Sequence, residues 1–144
     1  MWPTRYLGLD IGDRWIGVAL SDPLGKLASP LTILKRSDFL ADLEAIARII
    51  NQHEVKRIIV GLPRSMDGSL GRQAEKVEAF TQKLRLHVEI PVEFRDERLT
   101  TVSARRMMRA SQTKKGRKKR DDAIAAAVIL QGFLDEGHSP ASKT

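Results

Sequence analysis

The chain has 144 residues, with 25 Lys plus Arg against 18 Asp plus Glu and a formal net charge of +7. It contains no cysteine, which excludes disulfides, thiolate chemistry and any zinc site built on Cys. A hydrophobic fraction of 42% supports one packed core rather than disorder, and no apolar run approaches the roughly 18 to 20 residues that span a bilayer.

These bounds fit a single domain, read over residues 1–136 with a polar tail over 137–144, and the order of strands and helices along it reads as α/β. The start of the chain, Met1 to Arg5, lacks the apolar stretch of a signal peptide, so a soluble, cytoplasmic protein with no membrane partner is expected. The positive charge is local. Ten basic residues and no acidic one fall between Arg98 and Arg120, which leaves the rest of the chain mildly acidic.

In chain order, Tyr6 to Asp10 and Trp15 to Leu20 read as two strands joined by a tight turn at residues 11–14. Residues 28–34 contain Pro30 and alternate weakly, as an edge strand does. Ser37 is positioned to cap a helix over 38–53, where Phe39, Leu40, Leu43, Ile46, Ala47 and Ile50 recur at helical spacing. The β-branched run 57–62 predicts a buried strand that Pro63 ends, and the loop after it holds Ser65, Asp67, Gly68 and Ser69. Ala74, Val77, Phe80 and Leu84 predict a second helix over 71–86, followed by a strand over 91–95. A basic helix over 102–109 and a loop over 111–120 without apolar residues come next. The last helix, 121–135, is apolar on every face from Ala123 to Leu130, which predicts burial on more than one side.

Three acids stand where an element ends: Asp10, Glu97 and Asp122. Strand ends in α/β sheets hold ligands, and carboxylates gathered there repel one another unless a cation lies between them. Hard divalent ions such as Mg²⁺ take oxygen ligands, and such ions serve phosphodiester displacement. Taken singly, each acid is better explained as a turn former, a solvated loop carboxylate or a helix cap. The basic segment is Arg98, Arg105, Arg106, Arg109, Lys114, Lys115, Arg117, Lys118, Lys119 and Arg120. Either it is a solvated loop or it neutralises nucleic-acid phosphates close to Asp122. Aromatics make up only 5% of the chain, so recognition through the backbone and its shape fits better than base stacking. His53, His87 and His138 have no carboxylate at metal-triad spacing.

Four blocks in order carry a resemblance. They are Leu9-Asp10-Ile11-Gly12 with Ile16 to Asp22, Val60 to Pro63 with Met66 to Ser69, Asp96 to Thr101, and Asp122 to Ala126 with Ile129 to Gln131. Together they resemble the YqgF family, also called RuvX, over almost the whole chain. The resemblance implies a ribonuclease H-like fold with a five-stranded mixed sheet flanked by helices, similar to the junction resolvase RuvC. It implies a nuclease that matures the 5′ end of small-subunit (16S) ribosomal RNA, with Asp10, Glu97 and Asp122 as catalytic carboxylates that bind Mg²⁺ or Mn²⁺. Asp122 is favoured over Asp121 because the Ala-Ile-Ala-Ala run follows it directly. Two departures stand out: Asp13-Arg14-Trp15 replaces small or basic residues, and Ala125 and Ala126 stand where RuvC-like enzymes carry a further acid. The expected partner is structured RNA (the ribosomal RNA precursor) or branched DNA, bound by a monomer or a homodimer. The rival readings are a DNA junction resolvase, which would cut as a two-fold dimer, and a non-catalytic RNA-binding factor in transcription or ribosome assembly. Asp10-x-Gly12 also resembles the phosphate loop of actin-like ATPases, but those close two such domains around ATP.

Overall fold

A computed structural model describes residues 4–63, 71–96 and 118–136, with side chains from residue 122 onward in the last of these stretches. The described elements are β1 (Arg5–Ile11), β2 (Trp15–Ser21), β3 (Ala28–Lys35), α1 (Phe39–His53), β4 (Val55–Leu62), α2 (Arg72–His87), β5 (Val92–Asp96) and α3 (Lys118–Asp135). The strands form one sheet in the order β3-β2-β1-β4-β5. β1 pairs antiparallel with β2, and β2 with β3, whereas β1–β4 and β4–β5 are parallel, so the sheet is mixed.

The alternation of side chains along β1 divides the molecule into two layers. Leu7, Leu9 and Ile11 join Ile58, Val60 and Leu62 of β4 in a core that α1 and α2 cover. Tyr6 points the other way and packs with Ala19, Ile59, Ala126, Leu130 and Phe133 beneath α3. β1 and β4 are therefore apolar on both faces, as strands covered on both sides must be. The third strand lies at the sheet edge as expected, and Pro30 sits beside the register shift in its pairing with β2. In α3, Val128 is buried although it lies across the helix from Ala126 and Leu130, in keeping with burial on more than one side.

Three expectations change. The cap of α1 is Asp38, not Ser37: its carboxylate accepts the Ala41 N–H at 2.8 Å, while the Ser37 N–H donates to Asp42 Oδ1. Phe39 and Leu40 are exposed, and Ile49 takes a buried place on the apolar face. α3 begins at Lys118, so Lys118, Lys119 and Arg120 form its first turn instead of the end of a loop. No helix breaker follows Gly116, Lys and Arg have high helix propensity, and consecutive like charges do not face each other on a helix. The loop after Pro63, the basic segment before Lys118 and the tail over 137–144 lie outside the described residues.

Candidate active site

Asp10 is the sixth residue of β1 and pairs across the sheet with Gly17 of β2. Directly opposed residues present their side chains to the same face, with Cβ atoms about 5 Å apart. Tyr6 and Gly8 fix that face as the one α3 covers, because Tyr6 packs against Phe133 and Gly8 lies under Ala126 and Leu130.

Gly17 is where the last helix comes down. A Cβ at position 17 would overlap the carbonyl carbon and oxygen of Asp122 and would stand 3.0 Å from Ala123 N. The main chain of Asp122 therefore occupies the space that a side chain opposite Asp10 would fill. Moving along β1 from Gly8 to Asp10 corresponds to moving along α3 from Ala126 back to Asp122, so α3 runs antiparallel to β1. Asp122, Ala126, Ile129 and Phe133 share one stripe by the helical period, and Ala126, Ile129 and Phe133 are buried against the sheet. Cα–Cβ bonds tilt toward the helix N-terminus, which directs this stripe toward the sheet end that holds Asp10. Both Asp10 and Asp122 are partly exposed.

Side chains from the opposite layer hold the hairpin that follows Asp10. Gly12 N–H donates to the Trp15 carbonyl at 2.9 Å and closes the turn. Arg36 Nη1 donates to the Gly12 carbonyl at 2.8 Å, while its Nε lies 2.9 Å from Asp42 Oδ2. Gln73 Nε2 donates to the Ile11 carbonyl at 3.2 Å, and Lys76 Nζ lies 3.3 Å from Asp13 Oδ1. Both α1 and α2 thus brace the strand end that bears the acid.

Because β1, β4 and β5 are parallel, their C-terminal ends share one side of the sheet. The pairings Leu9–Val60 and Val60–Phe94 place the end of β5 at Asp96 near the level of Asp10, two strand spacings or about 10 Å away. Glu97, Arg98, Arg105, Arg106, Arg109, Lys114, Lys115 and Arg117 lie outside the described residues, and Lys118, Lys119 and Arg120 are placed only as backbone in the first turn of α3. Among the described residues no three acids or histidines gather at one point; the structure brings together the pair Asp10 and Asp122. His53 and His87 end α1 and α2 at the other side of the sheet. The donors available here are hard carboxylate oxygens, which suits Mg²⁺: that ion is commonly held by one or two carboxylates together with substrate phosphates.

Sequence reasoning missed Gly17, Arg36, Asp42 and Gln73. Gly17 left a signal, since glycine inside a strand marks a close approach of another backbone. Arg36 and Asp42 left none, because a charged pair in a loop and first helical turn reads as solvated surface.

A five-stranded mixed sheet in the order β3-β2-β1-β4-β5 with helices on both faces is the ribonuclease H-like fold. Solved structures agree on the fold: Thermus thermophilus RuvC with a Holliday junction substrate superposes with a TM-score of 0.62 at 12% identity, covering 94% of this chain and 98% of that one. The Fowlpox virus resolvase with Holliday junction DNA gives 0.54 at 15% identity, over 94% and 100%. The chain belongs to the RuvX family, described as Holliday junction resolvase, which matches residues 4–136. Among similar proteins, one from Desulforamulus reducens is 48% identical over 134 residues, covering 92% of this chain and 98% of its own length. One from Moorella thermoacetica is 49% identical over 132 residues, covering 91% and 94%. Both bear the name "Putative pre-16S rRNA nuclease". Among the described residues no helix is long and apolar enough to cross a membrane.

Proposed function

We propose that this chain is a divalent-metal-dependent endonuclease that cuts the precursor of 16S ribosomal RNA at its 5′ end in the cytoplasm. The observation that carries the reading is the convergence of Asp10 and Asp122 on one sheet face through Gly17, in a family whose curated relatives bear the name of that activity over more than nine-tenths of this chain.

Asp10 and Asp122, with Glu97 as the third acid, would hold Mg²⁺ or Mn²⁺. A bound ion supplies an activated water and stabilises the leaving oxygen of a phosphodiester. The protein's own part is to hold the two carboxylates in fixed relation, through the paired strands β1 and β2 and the seat of α3. The ten basic residues from Arg98 to Arg120 would neutralise backbone phosphates of the bound nucleic acid. Replacing Lys114 to Arg120 with neutral residues then weakens RNA binding and flattens its salt dependence more than it slows cleavage of bound RNA.

The deciding experiment incubates the purified protein in parallel with precursor 16S RNA and a four-way DNA junction, in Mg²⁺, Mn²⁺ or chelator. Specific cutting of the RNA near its 5′ end is expected, lost in Asp10→Asn while binding persists. The fold neighbours solved with junction DNA favour a second reading, junction resolution. That reading requires symmetric cuts by a two-fold dimer, which sedimentation with the junction detects. No cutting of either substrate in any metal refutes both readings and leaves a binding factor.

A further inference from the structure

We propose that Gly17 is a positioning residue for the carboxylate pair: its missing side chain lets the main chain of Asp122 rest on β2 directly opposite Asp10, and that contact sets the spacing of the two acids. The inference rests on the reading of Asp10 and Asp122 as the groups that hold a divalent ion.

The contact at Gly17 is the closest of the glycine contacts with α3 among the described residues, and it falls on Asp122 itself. A Cβ at position 132 would meet the guanidinium of Arg95, the far end of a long side chain. At position 8 it would stand 2.8 Å from Leu130 Cβ and 2.9 Å from Ala126 O, a smaller overlap that α3 must also yield to, but one centred a turn or more away from Asp122. At position 17 it would overlap the Asp122 carbonyl outright, and a backbone group cannot rotate aside. An alanine there must push β2 and the first turns of α3 apart. The displacement falls on the residue that bears the carboxylate, while Asp10 stays fixed by its pairing in β1. Mg²⁺ demands near-octahedral geometry at about 2.0–2.1 Å, so a site split between sheet and helix tolerates little change in their separation. A glycine kept only for packing would be equally useful anywhere along the helix; this one lies under Asp122 and across from Asp10.

The test is direct titration of Mn²⁺ followed by electron paramagnetic resonance of the free ion, with circular dichroism to monitor folding. The proteins are wild type, Gly17→Ala, Gly8→Ala, Asp122→Asn and the double variant Gly17→Ala/Asp122→Glu. Gly17→Ala is expected to remain folded and to bind Mn²⁺ about ten- to a hundredfold more weakly, the usual loss when a group that orients a metal ligand is disturbed. Gly8→Ala, whose smaller overlap falls at Ala126 and Leu130, should lose clearly less affinity than Gly17→Ala. The double variant, whose side chain is longer by one methylene, should bind more tightly than Gly17→Ala because the added reach offsets the displacement. Wild-type affinity in Gly17→Ala, an equal loss in Gly8→Ala, absence of rescue by glutamate, or a Gly17→Ala chain that stays unfolded in a protecting osmolyte would each overturn the proposal. The underlying reading fails by a different pattern, in which Asp122→Asn binds Mn²⁺ as wild type does, and the proposal falls with it.

Discussion

Replacing Asp42 with alanine should cost this protein a large part of its stability, although the residue touches no part of the acidic pair. Asp42 lies in the first turn of α1 and is 3% exposed. Its Oδ2 lies 2.9 Å from Arg36 Nε, and its Oδ1 accepts the Ser37 N–H at 2.9 Å. Arg36 in turn holds the Gly12 carbonyl and places its guanidinium 5.0 Å from the centre of the Phe80 ring. Removing the carboxylate leaves Arg36 Nε and the Ser37 N–H without their acceptor and the Arg36 cation, still bound to the Gly12 carbonyl, without its counter-charge. Breaking a buried ion pair from one side costs about 3–5 kcal/mol. Arg36 is 20% exposed, so solvent screening brings the expected loss to the lower end, about 3 kcal/mol. At about 2–4 °C per kcal/mol for a chain of this size, Tm falls by about 6–12 °C. Urea unfolding of wild type, Asp42→Ala, Arg36→Leu and the double variant measures the coupling. The double variant should be more stable than the sum of the single losses predicts, by about 1–3 kcal/mol, because the orphaned charge is gone. A loss below about 1 kcal/mol in Asp42→Ala, or additivity within about 0.5 kcal/mol, refutes the buried-pair argument.

Two further outcomes follow from local geometry. The Leu27 N–H, with the Lys26 N–H beside it, donates to Asp22 Oδ1 and holds that carboxyl below its ordinary value. The group is deprotonated more readily folded than unfolded, so its contribution is present above the unfolded carboxyl value, near pH 4, and is lost as pH falls through the lower folded value. Asp22→Ala should therefore cost stability at pH 7 and progressively less as pH falls below the unfolded carboxyl value, read as urea midpoints; a penalty that does not change with pH counts against the hydrogen bonds. Glu54 caps α1 at φ 54°, ψ 48°, a left-handed conformation that costs a side-chain-bearing residue about 1 kcal/mol. Glu54→Gly should raise stability by about 0.5 kcal/mol in the same assay once the added chain entropy of glycine is subtracted, and a loss would show that the side chain matters more than the backbone.

Much of the architecture was legible along the chain because it follows from periodicity. The alternation in Tyr6 to Asp10, the β-branched run of β4, the 3.6-residue spacing of Ala74, Val77, Phe80 and Leu84, and the unbroken apolar stretch of α3 each have a local cause. The element ends were less legible: Asp38 displaced Ser37 as cap because its carboxylate takes the Ala41 N–H, and α3 absorbed Lys118 to Arg120 because nothing in those residues stops a helix. Asp10 and Asp122 could be marked as acids at element ends, each with a bland explanation favoured when taken singly. Their meeting, across more than a hundred residues, depends on facts that no local pattern carries: the pairing of β1 with β2, the antiparallel run of α3 over both, and a strand position without a side chain where the helix backbone seats. The burial of Asp42 has the same character, since only packing of α1 and α2 around Arg36 turns an ordinary surface acid into a buried partner. The sequence by itself determined which segments form strands and helices, because each segment's apolar spacing is a local property. The tertiary structure decided which residues face one another, because contact between distant residues is fixed by strand order, register and the volume left empty at Gly17.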